Sequence, residues 1–244
     1  MRYRLLAALL ILGPAVPALA QTDAAEQIRS SDPETRYAGA EALALQRGPA
    51  SVAALTKLLA ADGDANVRQS AATGLGKLGD RSAEPVLIAA LKDASAPVRF
   101  AAVRSLGALR SRHAVPALSA LLTDKDPSMR RTVAEELGMI GDPAAKGPLT
   151  AALNDSDEGT RLEAASALAR LGDAGGQDAA KTGLTSKDPL SRQRAAYALA
   201  RGGDASALSA LDSAYASEKD PAARKALAEA RAQLRKRLGA KKTP

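Results

Sequence analysis

The chain has 244 residues yet only one Phe, four Tyr and no Trp, so its interior must be built from Ala, Leu, Val and Ile. Ala and Leu are strong helix formers, which points to an all-α class. The absence of Cys excludes a disulfide, a thiolate metal site, a catalytic thiol and a lipidated cysteine. The formal charge of +7 is concentrated at the two ends: Arg2 and Arg4 at the start, and Arg231, Arg235, Lys236, Arg237, Lys241 and Lys242 at the finish. Residues 21–230 carry 26 basic and 27 acidic side chains, without the basic stripe that tracks nucleic-acid phosphates.

In chain order, residues 1–20 read as a secretory signal peptide. Arg2 and Arg4 supply a positive start, Leu5 to Leu12 an apolar run, and Ala18-Leu19-Ala20 a small-residue cleavage site that leaves Gln21 first. The apolar run is far short of the ~20 residues that span a bilayer. Without an adjacent arginine pair or a cysteine, the expected location is the periplasm or the medium. Residues 21–230 are an array of repeats, and 231–244 a basic cap and tail that could touch an anionic surface.

The repeat is carried by Arg36, Arg68, Arg99, Arg130, Arg161, Arg192 and Arg224, at intervals of 31 or 32 residues. Four residues before each stands Asp (Asp32, Asp64, Asp126, Asp157, Asp188, Asp220), with Ser95 the substitute. This residue reads as a helix N-cap, and Pro33, Pro127, Pro189 and Pro221 follow it in the first turn. Seven residues after the arginine come Leu43, Leu75, Leu106, Leu137, Leu168 and Leu199. Eleven and twelve after it come the pairs beginning Gly79, Gly141, Gly172 and Gly203. Each glycine is placed to end the helix in the left-handed conformation, and the Asp after it caps the next helix.

Each repeat thus parses into two helices that cannot bury their apolar faces alone and must stack. The leading helices share the registers Leu87, Leu118, Leu149, Leu211 and Leu91, Leu122, Leu153, Leu184, with Tyr215 falling in the latter as a core residue. The first repeat has only a short leading helix, Ala24 to Arg29, with Asp23 and Glu26 at capping-box spacing. In the last, Arg231 stands where Leu belongs, as a polar outer cap would require.

The strings Val98 to Gly107 and Leu168 to Asp173 resemble the short HEAT repeats named after the phycobilisome lyases. The resemblance covers about residues 31–230 and implies an α-solenoid, a right-handed superhelix of about seven HEAT-type helix pairs. It also implies that the repeated Arg and Asp pair between adjacent repeats as a structural ladder, and that the second helices line the concave surface.

The same resemblance raises enzymes. HEAT-like deoxyhypusine hydroxylases bind iron through repeated His-Glu pairs, but this chain has one histidine, His113, followed by Ala114 and placed between helices. Phycobilisome lyases attach pigments to other proteins, and no residue here matches a catalytic one. Asp62, Asp64 and Asn66 open like a calcium loop, but Val67 stands where Gly is needed and Thr73 where the bidentate Glu belongs. No cofactor or metal site is expected.

Recognition is then the expected use. At about 100° per residue, positions −1, +3, +7 and +10 from the arginine form the core stripe of each second helix, and +1, +2, +5 and +9 point away. The outward set contains Tyr37, Phe100, Arg131 and Leu162 at +1, Arg194 at +2, Arg104 and Tyr197 at +5, and Arg170 and Arg201 at +9. Aromatics and arginines are the usual anchors of protein interfaces. The expected function is an exported scaffold that binds another protein through this face and is not an enzyme. The alternative is an enzyme, or its accessory subunit, of lyase-like type.

Overall fold

The computed structural model describes residues 24–240. The signal peptide read over 1–20, Asp23 of the capping box and the final lysines 241 and 242 lie outside the described residues. Within them every regular element is helical. A helical turn over 24–27 precedes α1 (Pro33–Gln46). The helices then follow in pairs: α2 (Pro49–Ala61) with α3 (Ala65–Leu78), α4 (Glu84–Ala90) with α5 (Ala96–Ala108), α6 (Val115–Ala120) with α7 (Pro127–Ile140), α8 (Lys146–Ala152) with α9 (Glu158–Arg170), α10 (Ala174–Gly183) with α11 (Pro189–Gly202), and α12 (Ala205–Ser217) with α13 (Pro221–Ala240). The chain divides into two compact units, one up to Ala102 and one from Val103 onward.

The helix starts follow the capping signals. Asp32 accepts the Thr35 N–H at 2.9 Å, Asp126 that of Ser128 at 2.8 Å and Asp157 that of Thr160 at 2.7 Å. Asp80 and Asp142 cap short 3-10 turns that lead into α4 and α8, while Asp173 and Asp204 cap α10 and α12 directly.

The helix ends follow the glycine register in three of four cases. Gly79, Gly141 and Gly172 have φ of 73°, 74° and 72°. At the same register position Arg47 and Arg110 adopt φ of 44° and 48°, so the turn imposes a positive φ even on side-chain-bearing residues. Gly203 is the exception. Its φ is −64°; α11 runs on through Gly202, and the Gly203 carbonyl accepts from the Arg237 guanidinium.

The arginine-based core stripe is present and wider than its period suggests. Positions −1, +3 and +7 are buried in α3 (Val67, Ala71, Leu75) and in α7 (Met129, Val133, Leu137). Position +4 is buried too, at Ala40, Ala72, Ala134, Ala165 and Ala196. The reason is that a second helix is covered on more than one side: α9 packs on α8 and α10 and also on α7 and α11. Small residues permit this, and a Cβ added to Gly138 would lie 2.8 Å from the Cα of Ala167.

The C-terminal end is a charged seal. Tyr215 is half-buried and packs against the core cluster that holds Leu211, Leu227 and Leu234, with the guanidinium groups of Arg224 and Arg231 4.2 and 4.4 Å from its ring centre. Arg231 and Arg235 both bind Asp212, and Arg237 donates to the carbonyls of Arg201 and Gly203. Helix α13 continues through residue 231 without a break.

Candidate interaction surface

The repeated arginines form a ladder, but not with the acids expected. Arg36 grips Asp62 with two parallel bonds, Nε to Oδ2 at 2.7 Å and Nη2 to Oδ1 at 2.9 Å, while Nη1 donates to the carbonyls of Ser30 and Ser31. Arg68–Asp93, Arg130–Asp155 and Arg192–Glu218 repeat the arrangement. The partner is thus the acid in the loop six residues before the next repeated arginine. The expected partner, the N-cap Asp, is engaged by its own helix: Asp64 accepts from Asn66 and Val67. These bonds also occupy Asp62 and Asp64, the residues that open like a calcium loop.

Bidentate pairing holds the Asp62, Asp93 and Asp155 carboxyls below the usual range and brings Glu218 down to about 2. Every charge in these four rungs is satisfied, so the ladder is structural. His113 is exposed in a short 3-10 turn.

The outward positions behave differently in the two units. In the first, Tyr37 is 36% exposed and lines a hollow of ≈ 450 Å³ with Glu34, Glu41, Gln69 and Thr73. Phe100 is half-buried. In the second unit, Arg104 and Arg201 are exposed, and Arg170, Arg194 and Tyr197 are half-buried. The Tyr197 hydroxyl donates to Glu229 at 2.9 Å. Arg131 lies 3.6 Å from Asp157, over the space left by Gly159.

Leu162 does not belong to this face. It is 5% exposed and turned inward, with a methyl filling the place a Gly183 side chain would take, within the core of α9, α10 and α11. The α10 backbone comes close at Gly183, and the +1 side chain of α9 falls into that gap.

Three acids on this face were not anticipated from the sequence. Glu135 and Glu136 on α7 and Glu163 on α9 lie among Arg104, Arg170, Arg194 and Arg201. The Glu136 carboxylate leans onto α5 where Gly107 has no side chain. Burial there, aided by repulsion from Glu135 and offset in part by Arg104 and Arg170, pushes its carboxyl up to about 7. Burial and Glu135 also push Glu163 up. Burial and the like charge of Arg201 push Arg170 down, and its Nη1 is buried without a hydrogen-bond partner. The sequence signal for this cluster was the pair of glycines, Gly107 and Gly138, which let long charged side chains sink between successive helices.

The fold defines the class, an all-α solenoid of stacked helix pairs. Models of HEAT repeats match residues 22–94, 84–169 and 146–232, and the chain belongs to the HEAT-repeat family. No curated protein matches it at a significant level. Among solved structures, the complex of CpcE and CpcF of phycocyanin lyase from Nostoc sp. PCC7120 is similar at 26% identity and a TM-score of 0.61, covering 95% of this chain and 100% of that chain. An archaeal HEAT-like repeats protein from Thermococcus onnurineus NA1 is similar at 17% identity and a TM-score of 0.57, covering 88% of this chain and 97% of that one. The chain is a HEAT-repeat protein of the phycobilisome-lyase-like kind. Among the described residues no helix is long and apolar enough to cross a membrane.

Proposed function

We propose that this is an exported scaffold that binds another protein through the outward face formed by α7, α9 and α11 together with Arg104 of α5. One contrast carries the reading. The ladder charges are paired atom for atom, whereas Glu136, Glu163 and Arg170 are half-buried on the outward face with raised or lowered ionisation and, among the described residues, no ion pair within 4.0 Å. Charges held out of water without partners cost stability and mark functional surfaces. A partner bearing complementary groups would satisfy them. That the similar phycocyanin lyase structure is a complex of two chains supports a protein as the ligand.

The 26% likeness to that lyase over 95% of the chain supports a second reading, an accessory subunit of a lyase-like enzyme. In that case the partner would be an enzyme subunit.

Both parts of the proposal are open to one experiment. The tagged full-length chain is recovered from the envelope fraction of cells that make it, alongside Arg104→Ala/Arg201→Ala. The protein is expected to begin at Gln21 and to bring down a partner that the variant holds at least about fivefold more weakly, since interface arginines cost more than ~1 kcal/mol when truncated. Both side chains are exposed, so stability should stay within ~0.5 kcal/mol of wild type. An intact Met1 would refute export, and equal retention by the variant would refute the face.

A further inference from the structure

In the rung of Arg161 a serine stands at the loop position where the siblings carry an acid. Arg161 is held as its siblings are: its Nη1 donates to the carbonyls of Asp155 and Ser156 at 2.7 and 3.0 Å. Arg68 does the same with Asp62 and Gly63, and Arg192 with Ser186 and Lys187. In four sibling rungs that anchoring presents Nε and Nη2 to the two oxygens of Asp62, Asp93, Asp155 or Glu218.

The residue in that loop position after Arg161 is Ser186. Its hydroxyl oxygen accepts the Asp188 N–H at 3.2 Å, as Asp155 accepts that of Asp157 at 2.8 Å, so the loop turn is kept. The carboxylate that would reach Arg161 is absent. Among the described residues no acid lies within ion-pair distance of Arg161.

A cavity of ≈ 440 Å³ opens at this place. Its lining combines polar Arg161, Ser186, Thr182 and Thr185 with apolar Leu153, Leu162 and Ala179. One acid stands beside it. Glu158 accepts the Ser186 hydroxyl at 2.7 Å, and it occupies a position held by Pro33, Ala65, Pro127 and Pro189 in the other repeats. An anion bound at Arg161 would share the cavity with the Glu158 carboxylate, whose like charge would oppose it.

We propose that the Arg161 rung binds a small carboxylic acid with an aliphatic body, its carboxylate taking two parallel bonds from Nε and Nη2 and its chain lying on Leu153, Leu162 and Ala179. The site is separate from the charged outward face and does not depend on that face binding a protein. Bidentate arginine–carboxylate pairing with a preset guanidinium is the strongest recognition available here, and the volume is that of a small-ligand site.

The probes are hexanoate, its neutral analogue hexanamide, and a short acidic peptide, each titrated into the full chain by ligand-observed NMR and thermal shift. Hexanoate should bind saturably and hexanamide at least tenfold more weakly. Glu158→Ala should tighten hexanoate several-fold. Glu158→Ala combined with Ser186→Asp rebuilds the sibling rung from within. It should raise the melting temperature by about 2–4 °C, the shift one stabilising pair gives in a chain of this size, and should weaken hexanoate at least tenfold.

The proposal is overturned if hexanoate does not bind, if it binds the rebuilt variant as well as wild type, or if hexanamide matches it. A lower melting temperature in Glu158→Ala with no hexanoate binding would mean that Glu158 itself serves Arg161 in solution. Binding of the acidic peptide alone would mean that the seat takes a partner's side chain and not a small acid.

Discussion

Replacing Leu137 with alanine is expected to destabilise the protein by ~2–5 kcal/mol. Leu137 is fully buried on α7, and α7 packs on α9, whose buried residues are mostly alanines: Ala164, Ala165, Ala167 and Ala169. Alanine has no rotamer to swing into the cavity, so the hole persists and the cost falls toward the upper end. In a stack of repeats each interface also supports its neighbours, so a weakened layer uncouples the helix pairs on either side. Met139, two residues on and 45% exposed, is the matched control: Met139→Ala should stay within ~0.5 kcal/mol. Urea denaturation of the two variants measures both values. A small loss at Leu137 would mean that the core stripe is misassigned.

The second large effect is on pH. Glu136 titrates at about 7 in the folded chain, against 4.5 for an exposed glutamate. The folded state therefore keeps a proton that the unfolded chain has lost. Its stabilising contribution is complete below pH ~4.5 and disappears as the pH rises through ~7. Ladder acids act in the opposite sense. Asp62, Asp93, Asp155 and Glu218 are held low by arginine, so their contribution is present above their unfolded values and is lost as the pH falls through the folded ones. Stability should peak in mildly acidic solution and fall by about 1–3 kcal/mol between pH 5 and pH 8. Glu136→Gln should be the more stable protein at pH 8 and have a shallower slope, the remainder belonging to Glu163, while keeping the acid-side loss. Denaturation curves at pH 5 and pH 8 for the two proteins check it, and equal slopes would show that Glu136 is not the group responsible.

Much of the architecture was legible because it is written seven times in phase. The arginine register located the second helices, the leucines seven residues later located the core, and Gly79, Gly141 and Gly172 located the ends. What was not legible depends on distances between helices that no single-helix period contains. Leu162 lies at an outward angle on α9, yet α10 approaches through Gly183 and buries it. Asp64 and Asp62 are both acids in the same loop, and only the bonding pattern shows which caps the helix and which meets Arg36. Glu136 and Glu163 read as ordinary surface acids until Gly107 and the packing of α7 on α9 set how deep they sit. Of the expected outward residues, Arg104 and Arg201 are exposed, Arg170 and Arg194 are half-buried beside these acids, and Tyr197 is half-buried with its hydroxyl on Glu229.

The proposed scaffold role stands or falls on which surface touches the partner. A photo-crosslinking residue placed at position 201, on the exposed outward side of α11, reports on the charged face. One placed at 178, exposed on α10, reports on a first helix. With the partner recovered from the envelope fraction, crosslinks are expected from 201 and not from 178. Crosslinks from 178 with none from 201 would contradict the assignment of the interface to the second helices.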